Sequence, residues 1–281
     1  MVSRASSDDT LQAVNDAMRA MLWLYDLPTW LMAFILVGTI VVSTLTGLYV
    51  VHSRIHASRL ARHIDNSTVG WFFSGVSLLY GLLLGLLTVA TWGNFSQAQN
   101  IASQEAASIS VVYRDLSGYP QPGQAQLKKQ LRDYTRYIID KSWPAQRRGL
   151  THSGEGFRLK DFQDSLFTQE LRTEGQVVLH SETIGAYNRM VELRRQRIDS
   201  IRGSVPGVLW GVVLMGALIT IVFSYFFVVS DYRLHAILTG MLSAMIGLLI
   251  FLLVALDHPY WGEVSIGPDA YQLILDTIMK Q

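Results

Sequence analysis

Residues 71–116 read WFFSGVSLLYGLLLGLLTVATWGNFSQAQNIASQEAASISVVYRDL, apolar in the first half and polar in the second, with no helix breaker between. No charge occurs from Trp71 to Trp92. At helical rise that run spans roughly 30 Å, the hydrocarbon thickness of a bilayer. Beyond it Gln97, Gln99, Gln104, Glu105 and Arg114 alternate with Ala98, Ile101, Ala102 and Ile109 at helical spacing, so one helix is predicted to cross a membrane and continue into water. One face of it carries Ser74, Leu78, Gly81, Gly85, Thr88, Trp92, Phe95 and Gln99, small or weakly polar for the most part, while Phe73, Leu79, Leu82, Leu83 and Leu86 occupy the others. Two readings fit that face. Gly81-x-x-x-Gly85 can let another helix approach closely, or copies of the helix can surround a narrow pore that is tight at Trp92 or Phe95.

The rest of the chain supports a membrane assignment. Of its 281 residues 50% are hydrophobic and only 16% charged, with a mean hydropathy of +0.26, whereas soluble domains carry about a quarter charged residues. A net charge of +1 gives no general attraction for nucleic acid. The absence of cysteine removes disulfides, thiolate metal sites and cysteine nucleophiles.

Residues 1–26 read as an amphipathic helix on the membrane surface, with Leu11, Val14, Met18, Leu22 and Tyr25 on one stripe. Residues 27–93 hold membrane helices one and two. The first, Leu27 to Val51, is too long for a signal-peptide core and is followed by Arg54 and His56 rather than a cleavage site. The connection from His52 to Gly70 is basic, and its His52/His56 pair lacks a third ligand or an orienting acid, so it reads as solvated loop rather than metal site.

Residues 94–204 read as a helical soluble domain. A break at Gly118, Pro120, Pro122 and Gly123 precedes a helix burying Leu127, Leu131, Tyr134 and Ile138. A shorter helix follows with Leu159, Phe162 and Leu166. The last runs from about Gln176 to Arg202, with Ile184, Tyr187, Val191 and Ile198 on one side and Arg194, Arg195 and Arg197 on others. Residues 205–256 form a hairpin of membrane helices three (Gly207–Val229) and four (His235–Leu256) joined by a very short turn at Asp231–Arg233. Residues 257–281 are a tail opening on Asp257, with a short amphipathic piece at its end. The fold class is thus all-α: a polytopic membrane protein with four transmembrane helices and a soluble domain between helices two and three.

The motifs then carry a resemblance. Glu105-Ala106, Tyr113-Arg114, Arg194-Arg195-x-Arg197, Val205-Pro206-x-x-Leu209-Trp210, Phe223-Ser224-Tyr225 and Leu256-Asp257-x-Pro259-Tyr260-x-Gly262 resemble the bestrophin-like proteins of bacteria and plastids, from about residue 68 onward. The helix layout resembles a bestrophin protomer. Bestrophins are oligomeric anion channels, pentameric where known, whose second helix lines a hydrophobic neck. The resemblance therefore implies a homo-oligomer in a lipid bilayer, multi-pass in the plasma (inner) membrane, that passes small anions with the second helix as pore and Arg114 in the vestibule. Asp257, Pro259 and Gly262 form its structural signature.

No acidic cluster of the animal calcium-binding kind is found, and no cofactor or metal is called for. The family layout puts the large domain in the cytosol, whereas the arginines of the short connections (Arg54, Arg59, Arg62, Arg233) favour the opposite orientation. A membrane-anchored sensor or scaffold is the alternative function, since no charge lies within the spans. An enzyme is not expected: His152, Ser153 and Glu155 are close in sequence but lack a strand-turn-helix setting. For Asp257, at the membrane edge, the expected partners are backbone donors or the Arg194–Arg197 group.

Overall fold

The computed structural model describes residues 23–56, 65–150, 154–201 and 203–280. The surface helix expected in residues 1–26 falls outside them up to residue 22, as do most of the basic connection and the His152/Ser153 pair. Among the described residues the only regular structure is helix, with no strand. In chain order the helices are α1 (Thr29–His56), α2 (Asn66–Asp115), α3 (Gly123–Tyr137), α4 (Trp143–Gln146), α5 (Gly154–Phe167), α6 (Glu174–Ile201), α7 (Gly207–Ser224), α8 (Tyr232–Asp257) and α9 (Asp269–Thr277). Four of them, α1, α2, α7 and α8, are long and apolar enough to cross a membrane.

The chain divides into two compact units, one of residues 1–93 with 204–257 and one of residues 94–203 with 258–281. Helix α2 is a single helix of 50 residues, as its lack of breakers predicts. Asp65 starts it: the carboxylate accepts the backbone N–H of Ser67 and of Thr68, both at 3.1 Å, satisfying two of the donors that a helix start leaves free.

In the first unit α1 packs along α8. Gly247 permits this, since a Cβ there would stand 3.2 Å from Val37 Cα. Tyrosine hydroxyls tie the helices together by donating to backbone carbonyls: Tyr25 to Val254 (2.7 Å), Tyr225 to Thr44 (2.8 Å) and Tyr80 to Val213 (3.1 Å). Helix α7 stops at Ser224, five residues before the expected end, and the turn to α8 is correspondingly longer. The cause is Asn66, whose side chain acts as a backbone substitute: Nδ2 donates to the Val228 carbonyl at 2.8 Å and Oδ1 accepts the Val228 N–H at 2.9 Å. The expected boundary after Val51 also moves, because α1 continues to His56 and takes His52 and His56 into the helix. No group of three metal-ligand side chains occurs among the described residues.

The second unit packs the far half of α2 with α3, α5, α6 and α9 around Leu127, Leu131, Tyr134, Ile138 and Phe162, none of which has accessible surface. A π-helical turn at Ile138–Ser142 joins α3 to α4. The buried stripe of α6 is Thr183, Tyr187, Met190, Leu193, Arg197 and Ile201. Only Tyr187 of the expected stripe belongs to it; Ile184, Val191 and Ile198 are half-buried. The register differs because a charged residue, Arg197, occupies a core position.

Candidate functional site: the second helix and the buried charge cluster

Within the first unit α2 buries Tyr80, Leu84 and Thr91 along one line. The Ser74, Leu78, Gly81, Gly85, Thr88, Trp92 line is displaced from it by about a quarter-turn at 3.6 residues per turn. Ser74, Leu78, Gly81, Gly85 and Trp92 are exposed and Thr88 is half-buried. A Cβ added at Gly81 or Gly85 would meet nothing within 4 Å. Leu79, Leu82, Leu86 and Val89 cover the side opposite the buried line, and all are exposed. Gly207 and Gly211 on α7 are open in the same way, while Gly216 receives the Tyr80 ring. Further along α2, in the second unit, Phe95 is half-buried and Gln97, Gln99 and Asn100 are exposed, as is Arg114.

The second unit hides its charges at one place. Arg197 has 0% exposure. Its Nε donates to Glu105 Oε2 at 2.6 Å and its Nη2 to Glu155 Oε2 at 2.8 Å. Arg194 Nε adds a bond of 3.0 Å to Glu155 Oε2. Tyr271 donates to Glu105 Oε2 at 3.0 Å and Tyr134 to Glu105 Oε1 at 3.4 Å. The guanidinium lies 5.6 Å from the Trp143 ring, which contacts Tyr260 and Tyr271 edge-on or tilted. Two carboxylates and two guanidiniums balance to zero, the condition under which buried charge is tolerated.

The electrostatics follow from burial and pairing. Burial by itself lowers the affinity of Arg197 for its proton, but Glu105 and Glu155 outweigh it and hold the guanidinium firmly charged. Burial by itself raises the Glu155 carboxyl, and Arg197 and Arg194 pull it below its ordinary value. Tyr134 and Tyr271 are pushed up, first by burial and next by the Glu105 charge, so both remain phenol donors.

The signature residues have separate tasks. Asp257, buried at the end of α8, accepts the Val205 backbone N–H on Oδ1 at 2.6 Å. Of its two expected kinds of partner, the backbone donor is present, and Arg194 and Arg197 are engaged with Glu155 and Glu105. The Pro259 carbonyl accepts from Ile266 N–H at 2.9 Å. Gly262 has φ +75°, a left-handed conformation that glycine adopts without strain, and its carbonyl accepts from Arg147 Nη2 at 3.0 Å. Glu155, grouped in the sequence with His152 and Ser153, is a salt-bridge partner inside the core. Glu105 and Arg197 stand in separate sequence motifs that do not reveal their pairing across 92 residues; an acid and an arginine, each on an otherwise apolar helical stripe, are the available signal.

The arrangement defines an all-helical, polytopic membrane protein in which a long second helix leaves an uncharged face open. The profile of the Bestrophin-like domain matches residues 38–271, and the chain belongs to that family. Solved structures agree on the fold. A bacterial bestrophin homologue from Klebsiella pneumoniae, in one variant form, aligns with TM-score 0.66 at 11% identity over 88% of this chain and 98% of its own. A second variant of it gives 0.60 at 12% identity over 89% and 98%. A structure described as a membrane protein gives 0.63 at 11% identity over 91% and 100%. No curated protein matches.

Proposed function

We propose that the protein is a homo-oligomeric channel for small anions, with α2 nearest the axis and Ser74, Leu78, Gly81, Gly85, Thr88, Trp92, Phe95 and Gln99 lining the path. The carrying observation is the open face of α2: Gly81 and Gly85 meet nothing in the protomer, although small residues on a membrane helix ordinarily serve close packing. That face needs a neighbour or water.

Anion preference is supported by how the first acid beyond the span is used. No charged residue occurs between Asp65 and Glu105, and Glu105 is buried against Arg197, so its carboxylate does not reach the helix surface. The exposed groups past the span are amides, Gln97, Gln99 and Asn100, and then the Arg114 guanidinium, which offer hydrogen-bond donors and positive charge to an anion. A neutral lining selects by size and by dewetting at its large apolar residues, here Leu78, Trp92 and Phe95. The family membership supports the same reading.

The chain has no cysteine, so single cysteines can be placed without background. Gly81→Cys and Gly85→Cys should cross-link between copies, and a membrane-impermeant thiol reagent should change the current through them. Leu79→Cys and Val89→Cys should react only with a lipid-soluble reagent. The reverse pattern would place Gly81 and Gly85 toward lipid and remove the pore assignment.

A further inference from the structure

The turn between α7 and α8 closes a cavity of about 250 Å³ within the first unit. Its walls are apolar, with Phe73 from α2, Phe227 from the turn, and Leu238 and Leu242 from α8. Phe73 and Phe227 meet edge to face, with ring centroids 5.4 Å apart. Three polar residues also line it: Ser224, whose hydroxyl is spent on the Ile221 carbonyl at 2.7 Å, and His235 and Thr239, one helical turn apart on α8 and only 3% and 2% exposed. The Nδ1 of the one and the Oγ1 of the other have no hydrogen-bond partner. Buried polar atoms are nearly always satisfied, so two exceptions facing one cavity point to a bound water or ligand as their partner.

The chemistry of that partner is set by the ring. His235 Nε2 lies 3.0 Å from the Ser224 carbonyl oxygen, one of the acceptors left unpaired at the end of α7. A carbonyl can only accept, so Nε2 carries the proton, and in the neutral ring Nδ1 presents a lone pair. Nδ1 thus needs a donor. The Thr239 hydroxyl can give a proton as well as take one. A hydroxyl group has the chemistry for both sites, since it can donate to Nδ1 and accept from Thr239. No charged side chain lines the cavity, which excludes an ionic ligand as its preferred occupant. The volume is slightly below the roughly 300 Å³ at which drug-sized sites begin, and above the roughly 150 Å³ that holds one benzene.

We propose that this cavity is a binding site for a small uncharged amphiphile bearing one hydroxyl group, of the size of a substituted phenol. The hydroxyl sits between His235 Nδ1 and Thr239 Oγ1, and the apolar body rests against Phe73, Phe227 and Leu242. Leu238 borders the cavity and is 54% exposed, which gives such a molecule a route in from the surrounding apolar phase. Because Phe73 belongs to α2, the occupant touches the helix that also carries the Gly81/Gly85 face.

The test uses the full purified protein in detergent with two probes of nearly equal shape, para-ethylphenol and para-ethyltoluene. The phenol should bind roughly tenfold more tightly, the ratio expected for one buried hydrogen-bonded group. Thr239→Val keeps the shape and removes the hydroxyl, and it should shrink that ratio several-fold while leaving the fold intact. Nitrogen NMR of labelled histidine should show the His235 Nδ1 resonance moving with the phenol and not with the toluene, an assignment checked by its loss in His235→Phe. Equal affinity for the two probes would show a site for acyl chains, without a hydroxyl requirement, and would overturn the proposal. So would an unchanged ratio in Thr239→Val, or a His235 resonance that ignores the phenol.

Discussion

Arg197 concentrates the residue-scale energetics of the second unit, because its guanidinium joins Glu105 of α2 to Glu155 of α5 with no accessible surface. Removing one partner of such a buried pair leaves a charge without compensation and commonly costs about 3–5 kcal/mol. Glu105→Gln should therefore lower the thermal midpoint of the purified protein far more than Glu170→Gln, whose carboxylate is exposed; equal effects would deny the cluster its role. The pH dependence has a definite sign. Glu155 is held below its ordinary value of 4.5 in the fold, so its contribution is fully present above that value and is lost as pH falls through the folded one. Midpoints measured from pH 6 downward should fall on the acid side of about 4.5, and less steeply in Glu155→Gln. Asp257 behaves differently. Asn can still accept the Val205 N–H, so Asp257→Asn should cost about 1 kcal/mol, while Asp257→Ala should cost more because it strands a buried donor. Denaturant midpoints rank the two. Much at this scale was not legible in the sequence. Hydrophobic periodicity assigns arginine to the surface, and only the three-dimensional placement of Glu105 and Glu155 makes position 197 interior.

Among the elements, α2 was the most legible, since 22 uncharged residues from Trp71 to Trp92 followed by helical alternation leave little choice. The α7–α8 connection is longer than the sequence suggests because its contacts are not local: Asn66 at the start of α2 takes both hydrogen bonds of Val228. Two glycine substitutions separate packing inside the protomer from packing outside it. Gly247→Val should push α1 and α8 apart, since even its Cβ would crowd Val37, and should lower stability in detergent by about 1–3 kcal/mol, the usual cost of overpacking. Gly81→Val meets nothing in the protomer. It should leave protomer stability near the wild-type value yet disturb assembly or current. A thermal shift series with sizing of the assembly distinguishes them, and equal destabilisation by both would show that the α2 face is packed within the chain.

For the whole molecule, the four candidate spans and the helical insert were readable because membrane and water impose opposite compositions on successive stretches. The motifs pointed to the bestrophin-like family, and the domain match over residues 38–271 establishes it. The proposed pore is legible in the sequence only as a face of α2, since a number of copies is a property of an assembly and not of one chain. Passage of small anions along α2 through a neutral constriction, as proposed, is decided by recording from purified, sized protein in planar bilayers under a salt gradient. The predicted result is a current whose reversal potential lies toward the anion equilibrium value, with large weakly hydrated anions passing more readily than chloride and with higher conductance in Trp92→Ala and Phe95→Ala. Absence of current in the wild type and in both alanine variants, with the assembly shown intact, would contradict it and leave a membrane-anchored scaffold or sensor.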